Sequence, residues 1–322
     1  MRDMVDMFAS LGERLHNFGT TAEDCALMAH AIEHNPWFTT EDILHAMRAI
    51  SEDMLQRDKL TAWLSHYAPI GEPKDVAVIM AGNIPLVGFF DLLCVVASGH
   101  RLHLKPSSKD SILMRFVVEE LRKIDSKVQI FDYKSDGKYD MAIATGGDDA
   151  NRYFEEHFAD TRRLLRGSRH SVALLDGTES EAELLALSKD ITLYSGLGCR
   201  SVAMLLVPKG WSATLPPSTA RNTKLNNNIR SMRAMLTMQQ RPFVDCGAFL
   251  AIPGDTFPTS LAAVTLREYT TIDDARCWIE EHSSDIQCVV SHAKDHIPFG
   301  CAQRPTLWDY ADGIDTMAFL RE

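Results

Sequence analysis

Cys199 stands in the stretch Leu193-Tyr194-Ser195-Gly196-Leu197-Gly198-Cys199-Arg200-Ser201, directly ahead of the apolar run 202–207. Of the seven cysteines it is the one set among small residues where a loop must meet buried structure. A thiol is both a strong nucleophile and a good leaving group, so a reactive Cys199 points to an enzyme that forms a thioester with its substrate. A free thiol has a pKa of about 8.5 and needs a lowered value to react quickly at neutral pH. Arg200 or local backbone dipoles could supply that. The competing reading is a buried small hydrophobe, the common fate of a free cysteine. Cys25, Cys94, Cys246, Cys277, Cys288 and Cys301 fall in that class. His170 is a possible acid or base, although a lone histidine ahead of a strand is more often structural.

Three further positions carry chemistry, and each needs a strand to present it. Residues 76–81 read as a buried strand, and Gly82-Asn83-Ile84-Pro85-Leu86 turns the chain into a helix expected over 85–98. Asn83 is then either the cap of that helix or an amide donor facing a cleft. Residues 101–105 read as a second strand ending at Lys105-Pro106-Ser107, where a lysine can reach a nucleotide ribose or phosphate, or simply lie on the surface. Residues 139–144 read as a further strand ending in Thr145-Gly146-Gly147, with a helix from about Asp148. The free N–H groups of such a helix start welcome an anion, although the spacing GxGxxG is absent.

These strands alternate with helices over 85–98 and 111–123 and with a strand at 128–131, which predicts a parallel sheet covered on both faces. A second alternation follows, with strands over 171–175, 202–207, 249–252, 263–269 and 286–291 and helices over 217–238 and 273–282. Residues 1–68 are helical in pattern, with Met4, Met7, Phe8, Leu11 and Leu15 at three- and four-residue steps and a helix start at Thr39-Thr40-Glu41-Asp42. The division expected is a helical N-terminal segment (1–68), a first α/β domain (69–167), a second α/β domain that carries Cys199 (168–296) and a C-terminal tail (297–322).

Bulk properties exclude several classes. The net charge of -11 argues against a nucleic-acid binder. No run of 18 apolar residues spans a membrane. The acidic start Met1-Arg2-Asp3-Met4-Val5-Asp6 does not read as a secretory signal, so a cytoplasmic location is expected. Twelve histidines include no HExxH and no zinc spacing, so no metal is expected.

In order along the chain, these segments resemble the aldehyde dehydrogenase superfamily, and most closely its acyl-CoA reductase branch of the LuxC type. Ala81-Gly82-Asn83-Ile84-Pro85-Leu86 is similar to that family's Asn-Phe-Pro-Leu segment. Gly99-His100-Arg101-Leu102-His103-Leu104-Lys105-Pro106-Ser107 is similar to Gly-Asn-x-Val-x-Leu-Lys-Pro, and Ala144-Thr145-Gly146-Gly147 to Phe-Thr-Gly-Ser. Gly198-Cys199-Arg200-Ser201 matches the nucleophile region, and the segment 299–313 resembles the LuxC ending. The resemblance runs from about residue 70 to the end. It implies two doubly wound α/β domains of the aldehyde dehydrogenase type behind a helical N-terminal segment, with homo-oligomers built by sheet extension. The helical first 68 residues and the apolar end 314–320 are then the segments expected to make the contact.

The same resemblance implies roles. Cys199 would accept the acyl group, and Asn83 would supply an oxyanion-hole amide with the Cys199 backbone N–H as its partner. Lys105, Pro106 and Ser107 would lie at the adenosine ribose, and Thr145, Gly146 and Gly147 along the dinucleotide. The reaction implied is reduction of an acyl-CoA or acyl-carrier thioester to the aldehyde, with NADPH as cofactor and NADH the alternative. Two departures stand out. Leu165 occupies the place of the glutamate that activates water in hydrolytic members, which favours a thioester substrate. The Glu-x-Phe-Gly-Pro element has only a faint echo in Asp255-Thr256-Phe257-Pro258. Two other readings keep parts of this picture: a non-redox cysteine acyltransferase or thioesterase, and a non-catalytic acyl-binding subunit.

Overall fold

The computed structural model describes residues 2–212 and 215–322. The chain forms two compact units, one made of residues 1–168 with 304–322 and the other of residues 169–303.

The first unit opens with helices α1 (Arg2–His16), α2 (Ala22–His34), α3 (Thr40–Ala49) and α4 (Arg57–Leu64). Thr21 and Thr39 cap α2 and α3, each side chain accepting the backbone N–H three residues on. The expected helix start at Thr39 is thus present. The apolar stripe of α1 (Val5, Phe8, Leu11, Leu15) is buried in the same cluster as one face of the sheet that follows, so the N-terminal helices share the core of this unit.

That sheet consists of β1 (Asp75–Ile79), β2 (Arg101–Lys105), β3 (Ile130–Asp132), β4 (Met141–Thr145) and β5 (Arg162–Arg166), with α5 (Phe89–Ser98), α6 (Ser111–Ile124) and α7 (Asp148–His157) between the strands. The strand order is β3-β2-β1-β4-β5, all parallel. Alternate side chains serve opposite faces. Val76, Val78, Leu102, Leu104, Met141 and Ile143 join the large core. Ala77, Ile79, Ala142 and Ala144 pack with Phe154 and Phe158 at α7. Both faces are covered, as the continuous apolar runs demand. The helix after β1 starts at Phe89, four residues later than expected, because Leu86 takes a left-handed φ of 57° and 85–88 form turns.

The second unit holds β6 (His170–Leu174), α8 (Glu181–Thr192), β7 (Val202–Pro208), α9 (Thr223–Met238), β8 (Val244–Asp245), β9 (Leu250–Pro253), β10 (Ala263–Tyr269), α10 (Ile272–Glu281) and β11 (Ile286–Val290). Its sheet runs β11-β6-β7-β10-β9-β8, parallel except for the β8 edge. A buried carboxylate ties its last segment down. Asp190 on α8 is 1% exposed and accepts the backbone N–H groups of Gly300 (2.6 Å) and Ala302 (3.0 Å).

The segment 304–322 returns to the first unit. Arg166, at the end of β5, makes a buried pair with Asp91 of α5 (2.6 and 2.7 Å) and donates to Thr316 Oγ1 (2.8 Å). His100 accepts from the Lys74 N–H at Nδ1 and donates from Nε2 to the Leu320 carbonyl (2.8 Å), which fixes its neutral tautomer. Burial also holds its pKa down. Met317 and Leu320 are buried in the core. The apolar end expected to serve an oligomer contact is therefore largely covered by its own chain, with Ile314 left exposed. The apolar stripe of α1 is covered in the same way. Among the described residues no helix is long and apolar enough to cross a membrane.

Two outcomes are expected from this packing. Asp91→Ala leaves the Arg166 guanidinium buried without its counter-charge and should cost about 3–5 kcal/mol in urea unfolding. The joint replacement of Asp91 by Leu and Arg166 by Met should cost far less, since it removes both charges. For Asp190, burial raises the pKa to about 6 against the pull of the two N–H groups and Arg200. An unfolded aspartate titrates at about 3.9. The folded value lies higher, so this group's contribution to stability is fully present below about pH 4 and is lost as pH rises through about 6. Asp190→Asn should flatten the dependence of Tm on pH in that window, read by thermal scans across a pH series.

Candidate functional site

The carboxyl ends of β2, β1 and β4 lie level. Ile79 is in register with Lys105 on one side and with Ala144 on the other. The chain leaves β1 for β2 in one direction, whereas β4 and β5 build the sheet in the other, so the ends of β1 and β4 mark the point where strand order reverses. Ligands of open α/β sheets bind at that point. Three segments singled out in the sequence lie there within the first unit: Gly82-Asn83, Lys105-Pro106-Ser107, and Thr145-Gly146-Gly147.

The turns after β1 and β2 touch. A Cβ on Gly82 would stand 2.5 Å from that of Ser107 and 3.1 Å from that of Asp110, so only glycine allows this approach. Asn83 follows directly, half-buried. It does not cap α5, whose N-cap is Gly88. The loop carrying it includes Leu86 in the left-handed region, a conformation that costs roughly 1–2 kcal/mol for a residue with a Cβ. Phe89 N–H donates back to the Leu86 carbonyl (2.9 Å), and Leu86 N–H donates to Asp110 Oδ2 (2.8 Å).

Past β4, Gly146 N–H donates to the Arg166 carbonyl (3.1 Å) and Gly147 becomes the N-cap of α7 with no side-chain cap bond. The N–H groups of this helix start face the level of the strand ends, an arrangement that suits a phosphate. Beside β1 and β2 a cavity of about 570 Å³ is lined by Lys105, Pro106, Ser107, Ser108, Ser111 and Arg115, with His34 from α2 and the end of β1. Two cationic side chains, three hydroxyls and an imidazole face it, and no carboxylate does among the described residues. His34 Nε2 donates to the Ser108 carbonyl (2.6 Å), and Lys105 Nζ lies 5.9 Å from the centre of the Tyr133 ring. Arg115 and His34 were not anticipated. Arg115 sits one helical turn beyond Ser111 on the face of α6 above Lys105, a periodicity that could have flagged it.

In the second unit Cys199 is half-exposed. It lies on a turn at the head of β7, closed by Ser201 N–H donating to the Gly198 carbonyl (2.9 Å). Ahead of it Tyr194, Ser195 and Gly196 all have φ between 54° and 74°. Three left-handed residues in a row turn the chain after α8, ahead of the cysteine. Ser171 Oγ of β6 donates to the Cys199 carbonyl (2.9 Å), which fixes the turn against the neighbouring strand. Arg200 Nε donates to the Ala302 carbonyl (2.5 Å), in the segment held by Asp190, and Gln303 Nε2 donates to Ser201 Oγ (2.9 Å). The cysteine is thus presented by a turn braced on three sides. Cys94 and Cys246 are buried, and burial pushes both thiols up.

His170 rests face to face on Phe257 (centroids 4.5 Å apart, 17° between planes), and burial lowers its pKa. Its ring is engaged in packing, as is the Phe257 of the faint Glu-x-Phe-Gly-Pro echo. Leu165 lies on β5 opposite Ala144 and packs against the cluster that includes Phe154 and Phe158, so its side chain is engaged in apolar packing. Asp176, Glu179 and His292 offer ligand atoms within 4.8 Å of one another. His292 is already bonded to Asp176 (3.1 Å) and Glu183 (2.9 Å), and these carboxylates raise its pKa.

The structure is similar to a propionaldehyde dehydrogenase from the fucose-utilisation microcompartment of Clostridium phytofermentans, with a TM-score of 0.62 and 11% identity over 95% of this chain and 82% of that one. It is also similar to an engineered glycolyl-CoA reductase with bound NADP+, with a TM-score of 0.60 and 11% identity over 90% of this chain and 78% of that one. These likenesses establish the fold as that of the aldehyde dehydrogenases. In sequence, the chain is 25% identical over 177 residues to long-chain acyl-protein thioester reductase 2 of Photobacterium leiognathi, a match covering 47% of this chain. The match spans only 36% of the length of that relative. The model of the acyl-CoA reductase (LuxC) family matches residues 45–217, more than half of the chain and most of the first unit's sheet together with the Cys199 turn. The chain belongs to the acyl-CoA reductase (LuxC) family.

Proposed function

We propose that this protein reduces an acyl thioester to the corresponding aldehyde, with Cys199 carrying the acyl group between the two half-reactions. The observation that carries the reading is the half-exposed Cys199, presented by a braced, left-handed turn at the head of a strand in a chain of this family. The donor is acyl-CoA or an acyl carrier, and the reductant a nicotinamide dinucleotide.

The first unit's residues fit such a cofactor. Gly82 leaves room for close approach at the strand ends, and the uncapped start of α7 suits a pyrophosphate. The cavity beside Lys105 suits the adenosine ribose. Its charge further supports NADPH over NADH. A carboxylate there would bond a ribose diol and repel a phosphate, whereas Lys105 and Arg115 would attract the 2′-phosphate. When bound, the nicotinamide supplies the hydride that converts the acyl-enzyme to aldehyde.

The chain's own residues do the rest. The Cys199 thiolate attacks the thioester carbonyl, a C–S bond forms, and negative charge grows on the carbonyl oxygen. The Asn83 amide and a backbone N–H stabilise that charge, as the family resemblance implies; one such donor is typically worth about 2.7–4 kcal/mol. Collapse breaks the bond to the leaving thiol, which departs as thiolate and takes a proton from solvent. The acyl group remains on Cys199 as a thioester. Once the acyl carbon held on Cys199 has been reduced, the alkoxide on that carbon re-forms the C=O bond as the C–S bond breaks, releasing aldehyde and restoring the Cys199 thiolate. Leu165 contributes by omission, because no carboxylate at that place activates water against the acyl-enzyme.

Cys199→Ala should abolish acylation and aldehyde release while NADPH still quenches or enhances protein fluorescence normally. Turnover in that variant comparable to the parent, measured by aldehyde release from a panel of acyl-CoAs, would remove the reading. An acyltransferase or thioesterase would acylate Cys199 yet bind no dinucleotide. Arg115→Ala should weaken NADPH by about ten- to a hundredfold, the usual worth of a hydrogen bond to a charged group, and leave NADH within about twofold. Equal losses for both cofactors in a titration would show that Arg115 does not read the 2′-phosphate.

A further inference from the structure

Asp110 has an arrangement that helix capping does not explain. It is the N-cap residue of α6, yet its side chain makes no cap bond to that helix. Its carboxyl is instead turned inward, with 2% of the residue exposed. Oδ2 accepts the Leu86 N–H at 2.8 Å, and Oδ1 is buried with no partner among the described residues. Burial pushes this carboxyl's pKa well above the usual range.

The placement is specific. Leu86 is the left-handed residue of the loop from β1 to α5, and Gly82, at the other end of that loop, approaches the Asp110 Cβ. Asn83 lies between these two points. Asp110 also closes the short helical turn Ser108–Asp110, which follows directly on Lys105-Pro106-Ser107. One side chain therefore underlies both the Asn83 loop and the turn that lines the cavity. A strained loop keeps its shape only if its surroundings over-determine it. Here the anchor reaching it from another element is a buried carboxyl, in a place where an apolar side chain would be the ordinary choice.

We infer that Asp110 is a positioning residue for Asn83: its bond to the Leu86 N–H holds the loop 82–86 in the left-handed form on which the oxyanion role of the Asn83 amide depends. The inference rests on the oxyanion role given to Asn83 above, and adds that this role depends on a residue that touches neither substrate nor cofactor.

The test is acylation of Cys199 without cofactor, followed as release of free CoA thiol in single turnover, for Asn83→Ala, Asp110→Ala, Asp110→Asn and the Asn83→Ala/Asp110→Ala double variant. Loss of an oxyanion donor costs about 10²–10³ in rate. Asp110→Ala should lose a large part of that in the acylation rate, with KM for the acyl-CoA and Kd for NADPH within about threefold. Asp110→Asn keeps an acceptor for the Leu86 N–H and should stay within about fivefold of the parent. The double variant should acylate no more than about twofold slower than Asn83→Ala alone, since residues acting through one another are not additive. Losses that multiply in the double variant, or normal acylation by Asp110→Ala while Asn83→Ala is slow, overturn the inference and leave the oxyanion reading standing. Normal acylation by Asn83→Ala sinks both. Should Asp110→Ala not fold, Asp110→Ser, whose hydroxyl is too short to reach the Leu86 N–H, replaces it in the same cycle.

Discussion

A hydrogen atom in place of a methyl group at Gly82 lets two turns of the first unit come into contact. With any other residue the Ser107 Cβ would be met at 2.5 Å, and the turns after β1 and β2 would have to part. That contact sets much of what surrounds it. It brings Asp110 within reach of Leu86, stabilises a loop that would not hold its shape alone, and places Asn83 beside the strand ends. It also keeps Lys105 and Ser107 at the same height as Thr145 and Gly146, because β1 is in register with both neighbours there. These three segments are far apart in sequence. Parallel pairing makes them level, and the missing side chain makes them close.

The second unit solves a different problem. A cysteine on a turn ahead of a strand must be left partly accessible without loosening the strand behind it. Three successive residues with positive φ turn the chain, and the two that carry side chains are buried there, so packing rather than glycine alone sustains the conformation. The turn is then fixed from outside by Ser171, Ala302 and Gln303. Arg200 looks, in sequence, like a cation placed to activate the thiol. Its Nε is committed to a backbone carbonyl, which makes at least part of its role mechanical.

Much of the fold was legible because parallel strands buried on both faces read as unbroken apolar runs. Residues 76–81 and 202–207 are examples, and the strands observed there start and end within two residues of the expected limits. What escaped is equally physical. The strand Arg162–Arg166 carries three arginines, and the one that is buried is neutralised by Asp91, which no local pattern connects to it. Helix α8 announced itself only through a capping box at Ser180 and Glu183, without a strong apolar stripe. The delay of α5 to Phe89 followed from a left-handed Leu86, and propensity does not suggest leucine there. Cys199, Asn83 and the Lys105 and Gly146 segments were visible as motifs. Asp110 was not, since an aspartate at a helix start is the most ordinary of caps until its side chain is seen to point elsewhere.

The path of the chain carries a consequence for biosynthesis. The first unit is interrupted after residue 168 and completed only by residues 304–322, whose Thr316, Met317 and Leu320 fill positions in its interior. Residues 169–303, by contrast, are continuous. During synthesis the later-made middle portion can reach its native state while the earlier-made portion still waits for its closing segment. A chain released just after residue 303 would carry the full second unit and a first unit with an open apolar gap beside Arg166. Such a species is suited to capture by quality control, so residues 304–322 act as a checkpoint on the first unit.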